Sequence, residues 1–188
     1  PAGFTRTPRG IFIFYITDQT DALLWGLDLD ATLVHSQKLS STLRASYLWA
    51  KQIRREDYFV GLPPPNLDYD LSFSPDVNWL DKMSVSLNAR VVFEQHQHPR
   101  IIPVDDFLNA PQLDIDRFSG EAKDFDILAP PPAYVLFSMN LSVTRNKLTY
   151  YFAIDNLLNQ SYRQYTDRLR YFADGLGRNY KMRIRYSF

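Results

Sequence analysis

The 188 residues contain no cysteine. Disulfide staples and thiolate metal sites are therefore excluded. Neither charge sign is in excess, with 21 Lys+Arg against 21 Asp+Glu. That balance gives no pull toward nucleic acid, and no nucleic-acid partner is expected. No run approaches the roughly 18 apolar residues of a membrane helix. The opening residues, PAGFTRTPRG, hold no apolar core of the length a secretory leader needs. There are 3 histidines, and no Ser or Cys stands in a pattern that would make one of them a catalytic base. No enzyme activity is expected and no cofactor is implied.

What the chain has is alternation. In the last ten residues, NYKMRIRYSF, apolar side chains fall on Tyr180, Met182, Ile184, Tyr186 and Phe188, with Lys181, Arg183, Arg185 and Ser187 between them. Apolar residues two apart predict a strand with unlike faces, not an amphipathic helix. The pattern recurs in LLWGLDLDATL, LSSTLRASYLWA, LDYDLSFS, MSVSLNARVVF, VLFSMNLSV and LTYYFAID. That makes about seven strands, each near the 9–11 residues with which a tilted strand crosses a bilayer. GIFIFYIT is an expected eighth strand, or the outer end of the first; its alternation is poorer. The shared apolar set includes Leu29, Leu43, Leu71, Val85, Met139, Phe152 and Ile184. The opposite set includes Asp30, Arg44, Asp70, Asn88, Arg90, Asn140, Lys181, Arg183 and Arg185.

The connections alternate too. HSQK, PDVNWLDK and RNK are short. The stretches around GLPPPN, from His96 to Ala133, and from Gln160 to Asn179 are long. Short turns at one end and long loops at the other suit an antiparallel up-and-down transmembrane β-barrel. A soluble sandwich has no reason to gather its long loops at one end, although some binding sandwiches do. Trp25, Tyr47, Trp49, Tyr69, Tyr134, Tyr150, Tyr180 and Tyr186 lie mostly toward strand ends, where such rings suit a membrane interface.

Several stretches resemble the barrel of TonB-dependent outer-membrane receptors. DALLWGLDLDATL is similar to a family strand at Asp21, Ala22 and Gly26, with Asp28 where Glu is usual. GLPPPN resembles a family loop through Pro63 and Pro64. APPPAYVLFSMNLSV matches a descending strand at Tyr134 and Leu136. IDNLLNQSYRQY resembles another at Asn156, Leu157, Asn159, Tyr162 and Arg163, with Leu158 in place of Phe. GLGRNYKMRIRYSF resembles the family's last loop and strand at Gly177, Arg178 and Phe188. The resemblance covers about residues 21–188 and implies the last seven or eight of about 22 strands. It implies that residues 1–188 are a carboxy-terminal barrel segment, with the plug and amino-terminal strands on another chain. It further implies a multi-pass place in the outer membrane of a Gram-negative cell. The implied activity is TonB-dependent uptake of a scarce large ligand: an iron chelate, haem, cobalamin or a glycan. Implied partners are the receptor's amino-terminal remainder, the TonB complex reached through it, the barrel-assembly machinery and lipid. A surface lipoprotein is a further candidate. Tyr180, Met182, Ile184, Tyr186 and Phe188 would form the assembly signal. Asp30, Arg44, Asp70, Arg90, Lys181, Arg183 and Arg185 would face the lumen. The alternative is a complete eight-stranded outer-membrane barrel with a structural or adhesion role.

Ligand contacts are expected from the long loops. His96, His98 and Arg100 stand at the end of one strand, with the two histidines on one face, where they could bind a metal or haem; solvated loop histidines are the stronger competing explanation. Tyr162, Arg163, Tyr165, Arg168, Arg170 and Tyr171 combine guanidinium groups with rings, a set suited to an anionic chelate. A packed loop stem is the competing explanation. Asp105, Asp106, Asp114 and Asp116 look like surface charge, with a cation site as the other option. No metal site is assigned.

Overall fold

The computed structural model describes residues 3–8, 10–14, 19–53, 57–103 and 126–188. Among the described residues nine strands run in chain order: β1 Gly3–Thr7, β2 Gly10–Phe14, β3 Ala22–Val34, β4 Leu39–Gln52, β5 Asn66–Phe73, β6 Lys82–Val92, β7 Tyr134–Arg145, β8 Leu148–Asp155 and β9 Asn179–Tyr186. Strands β3 to β9 form one seven-stranded antiparallel sheet in sequence order. No α-helix occurs among the described residues.

The expected eighth strand is corrected. Gly10–Phe14 is a strand, but it pairs with Gly3–Thr7 in a separate two-stranded sheet. Ile11, Phe12, Ile13 and Phe14 are apolar at every position, so this run has no polar face to match the polar side of the large sheet. The β8 strand stops at Asp155 because Asn156 takes φ +50°, a left-handed conformation that Asn tolerates but a strand cannot continue through.

The register puts like with like. Across four strands Asp30 faces Arg44, Arg44 faces Asp68 and Asp68 faces Arg90. Farther along, Ser86 faces Asn140, Asn140 faces Ala153 and Ala153 faces Lys181. On the other side Ser41, Leu71, Leu87, Met139, Ile154 and Tyr180 form one row. A one-residue slip anywhere would exchange the two faces, so the pattern fixes the pairing.

This sheet has no second layer among the described residues. Leu27 is 66% exposed and Met182 61%. The apolar face continues over all seven strands, broken in β4 by Ser41, and runs far beyond the apolar patches soluble monomers expose. The buried side chains gather instead at the long-loop end: Leu62, Val92, Ile102, Ile127, Leu128 and Tyr165. At the other end the connections are residues 35–38, 74–81 and 146–147. Trp25 packs against Tyr47 and Trp49 at 5.5 and 6.1 Å on the apolar face at the long-loop rim. Tyr134 departs from the expected rim aromatics. It pairs with Val92 on the polar face and packs 4.8 Å from Tyr162.

Nitroxides placed at Leu29, Leu43, Leu71, Val85, Met139, Phe152 and Ile184 are expected to report one environment. Those at Asp30, Arg44, Asp70, Asn88, Asn140 and Arg183 should report the other. A mixed pattern within either set would contradict the register.

Candidate functional site

Two regions carry the chemistry: the polar wall and the long-loop end. On the wall, Arg44 Nε meets Asp30 Oδ2 at 3.1 Å and its Nη1 meets Asp70 Oδ2 at 2.7 Å. Asn88 donates to Asp70 Oδ1 at 3.0 Å. Arg90 lies 3.9 Å from Asp68, and Lys181 pairs with Asp155. The expected lumen set, Asp30, Arg44, Asp70, Arg90, Lys181, Arg183 and Arg185, therefore shares one face. A shallow hollow of about 540 Å³ lies there, lined by Ser84, Asn140, Tyr151, Asp155, Lys181 and Arg183 among others.

At the long-loop end the segment after β6 is extended, and its residues keep alternating. Gln95 and Gln97 are buried, while His96 is exposed and His98 half-buried. The period of two is as expected, but the side turned inward is the glutamines', not the histidines'. Gln95 Nε2 donates to the carbonyls of Leu62 and Pro63 at 2.8 and 2.9 Å. Gln97 Oε1 accepts from Ala50 N at 3.3 Å, and its Nε2 donates to Leu48 O at 3.2 Å. The β4 strand outruns β5, whose pairing stops at Ser46 and Asn66. One side-chain amide thus replaces the peptide group of a missing neighbour. Alternation in EQHQH was the signal for this role; nothing in it marked which pair would face inward.

His98 Nδ1 lies 2.9 Å from its neighbour Pro99 O. No cluster of three or more His, Cys, Asp or Glu residues occurs among the described residues. Arg100 is exposed. Asp105, Asp106, Asp114 and Asp116 lie outside the described residues.

The loop between β8 and β9 is built on two asparagines. Asn156, 4% exposed, donates to Gln160 O and Leu176 O at 2.8 and 3.1 Å and accepts from Gln160 N at 2.8 Å. Asn159, at φ +53°, accepts from Arg178 N at 2.9 Å. Together they clamp the two ends of the loop. Beyond them, Arg163 Nε meets Asp174 Oδ1 at 2.6 Å, and Ser161 also donates to Asp174. These hydrogen bonds hold the Asp174 carboxyl below its usual range. A cleft of about 260 Å³ opens between Pro131–Tyr134 and Gln160–Arg163, closed on one side by Asp174.

The structure divides the arginine–tyrosine set. Tyr162 and Arg163 line the cleft. Arg168 is exposed on a single 3-10 turn, Arg168–Tyr171, which Asp167 caps through Leu169 N at 2.8 Å. Arg170 is turned inward, 7% exposed, with its guanidinium 4.3 Å from the Tyr165 ring centre and 4.9 Å from that of Tyr171. The Tyr171 hydroxyl accepts from Arg170 and from Leu128 N at 2.8 and 3.0 Å. Arg170 and Tyr171 are therefore the packed stem of the loop rather than its ligand-facing surface. Tyr165, another ring of the expected set, is buried beneath them, and burial raises its hydroxyl pKa.

No family model matches the chain, and no curated protein matches it. Among solved structures 30 chains match. One is named copper transporter OprC, with a TM-score of 0.71, 17% identity and all of this chain covered. The chain spans 26% of the length of that protein. At such identity the likeness is one of fold: the seven-stranded sheet is built like part of a transporter.

Replacing Gln97 by Ala strands Ala50 N–H and Leu48 C=O. Each buried orphan costs about 1–3 kcal/mol. The Ala50 amide should then exchange with solvent roughly 5- to 150-fold faster by hydrogen-exchange NMR. The Asp174 carboxyl has a depressed folded-state pKa, so the clamp it makes with Arg163 is fully present above the ordinary carboxyl value of 3.8 and is lost as pH falls below it. Fluorescence from a probe on the 156–178 loop should stay flat from neutral pH to about pH 4 and change only below.

Proposed function

We propose that this sheet is a stretch of the wall of an outer-membrane transporter barrel. The observation that carries the reading is a single-layer sheet with one mainly apolar face and one mainly polar face, both running across all seven strands. In such a barrel the apolar face meets lipid and the polar face a wet lumen. The long loops at one rim, the aromatic cluster of Trp25, Tyr47 and Trp49, and the fold shared with a transporter all support it. The finer reading is TonB-dependent uptake of a scarce large ligand by the assembled protein, with further strands supplied from outside these 188 residues. The exposed loop residues His96, Arg100 and Arg168, with Tyr162 in the cleft, are the proposed ligand-facing set. Copper belongs to the neighbour's name. The eight-stranded alternative loses its first strand to the separate β1–β2 sheet.

The test has two arms. Leu71→Arg points a cation into hydrocarbon and should cost about 2–4 kcal/mol, lowering the folded, heat-modifiable protein in the outer-membrane fraction. Ser72→Arg, on the lumen side, should leave that amount unchanged. Equal effects, or a chain recovered in the aqueous fraction, would end the wall reading. Uptake of labelled iron chelate, haem, cobalamin or glycan should require TonB, whereas surface binding should not. Uptake that persists without TonB would end the energised-transport reading.

A further inference from the structure

The two edges of the sheet carry unmatched charge of opposite sign. On the polar face, away from the turn rim, Arg44 finds a carboxylate on both adjacent strands, Arg90 meets Asp68 and Lys181 meets Asp155, while Lys51 and Arg145 lie near strand ends on the other face. Lys82, the first residue of β6, sits at the turn rim. Arg183 and Arg185 differ. They lie on β9, opposite Tyr151 and Thr149 of β8, and neither has an acidic partner among the described residues. At the other edge Asp28 faces Ser46 of β4 and likewise lacks a cation. Among the described residues both edge strands have a paired side and a bare side.

We infer that the strand completing β9 carries carboxylates opposite Arg183 and Arg185, and that the strand completing β3 carries a cation opposite Asp28. This rests on the barrel-wall reading. The sheet's own chemistry argues for the occupant, because its wall cations are neutralised across one strand spacing. Two other occupants fail. Seven strands in antiparallel order leave β3 and β9 pointing the same way, so the chain cannot close on itself in an antiparallel barrel. Pairing β9 with β9 of a second copy would be antiparallel, but it would set Arg183 and Arg185 against their own duplicates. It would also send the long loops to opposite sides of the membrane. An odd number of strands from outside these residues satisfies direction and charge together.

A photo-crosslinking amino acid at Ile184, in the assembled protein within its native envelope, identifies the neighbour by mass spectrometry. The expected adduct is an alternating segment from outside this chain with Asp or Glu at two positions two residues apart. R183E/R185E should reduce adduct yield, and changing those partner acids to Lys should restore it. An outside segment without acids, or an adduct yield unmoved by R183E/R185E, overturns the charge inference while leaving the barrel wall standing. An adduct to residues 22–34 of this chain, to a second copy's β9, or none at all, overturns the inference together with the outside-strand closure.

Discussion

Everything in this structure depends on the pairing register of seven strands. Backbone hydrogen bonding makes neighbours share a face, and the period of two carries that face along each strand. Shift β5 by one residue and Asp70 would leave Arg44 and Asn88 for the side occupied by Leu71. The charged contacts on the polar wall are half-exposed and add little stability of their own. Their value is that only one register lets Arg44 reach both Asp30 and Asp70. The apolar face and the ion pairs thus demand the same alignment, an agreement between local pattern and global fold.

The long-loop end solves a different problem. Strands of unequal length leave peptide groups without neighbours, and loops bring their own. Gln97 supplies an amide where β5 has ended, Gln95 ties the same segment to the Leu62–Pro63 backbone, and Asn156 joins the two ends of the last loop. In each case a side-chain amide, with a donor and an acceptor in one plane, stands in for a strand. The loops therefore rise from fixed bases. The residues left outward on them, His96 and Arg168 among them, are displayed on anchored stems.

The seven strands and their faces were legible because alternation is a physical requirement written at every second position. The face of every expected wall residue, from Asp30 to Arg185, followed from it. The loop end was less legible. Gln95, His96, Gln97 and His98 alternate in a way that says two will be inside, but burial is decided by the backbone they meet, and Leu48, Ala50 and Leu62 are over 30 residues away in sequence. Arg170 shows the same limit. A guanidinium among tyrosines reads equally as a ligand contact or a packed stem until Tyr165 and Tyr171 are seen on either side of it. GIFIFYIT failed for a simpler reason: four consecutive apolar residues specify a strand but not its sheet.

The distribution of charge separates wall from loops in a way that bears on transport. On the proposed barrel reading, a ligand passing the interior would meet Arg44, Arg90 and Lys181 already matched to acids, so the middle of the wall would present hydrogen-bonding groups such as Ser86, Asn140 and Ser142 more than net charge. Cations held in mutual pairs attract an anionic ligand weakly, because binding it means giving up a partner already in place. Exposed Arg168 has no ion pair among the described residues, so on the same reading a tight first contact would be more readily made there. On that reading, selection of the ligand at the rim and low retention along the wall would be two results of one arrangement: Arg44, Arg90 and Lys181 are paired across strands, while the last loop turns Arg168 outward.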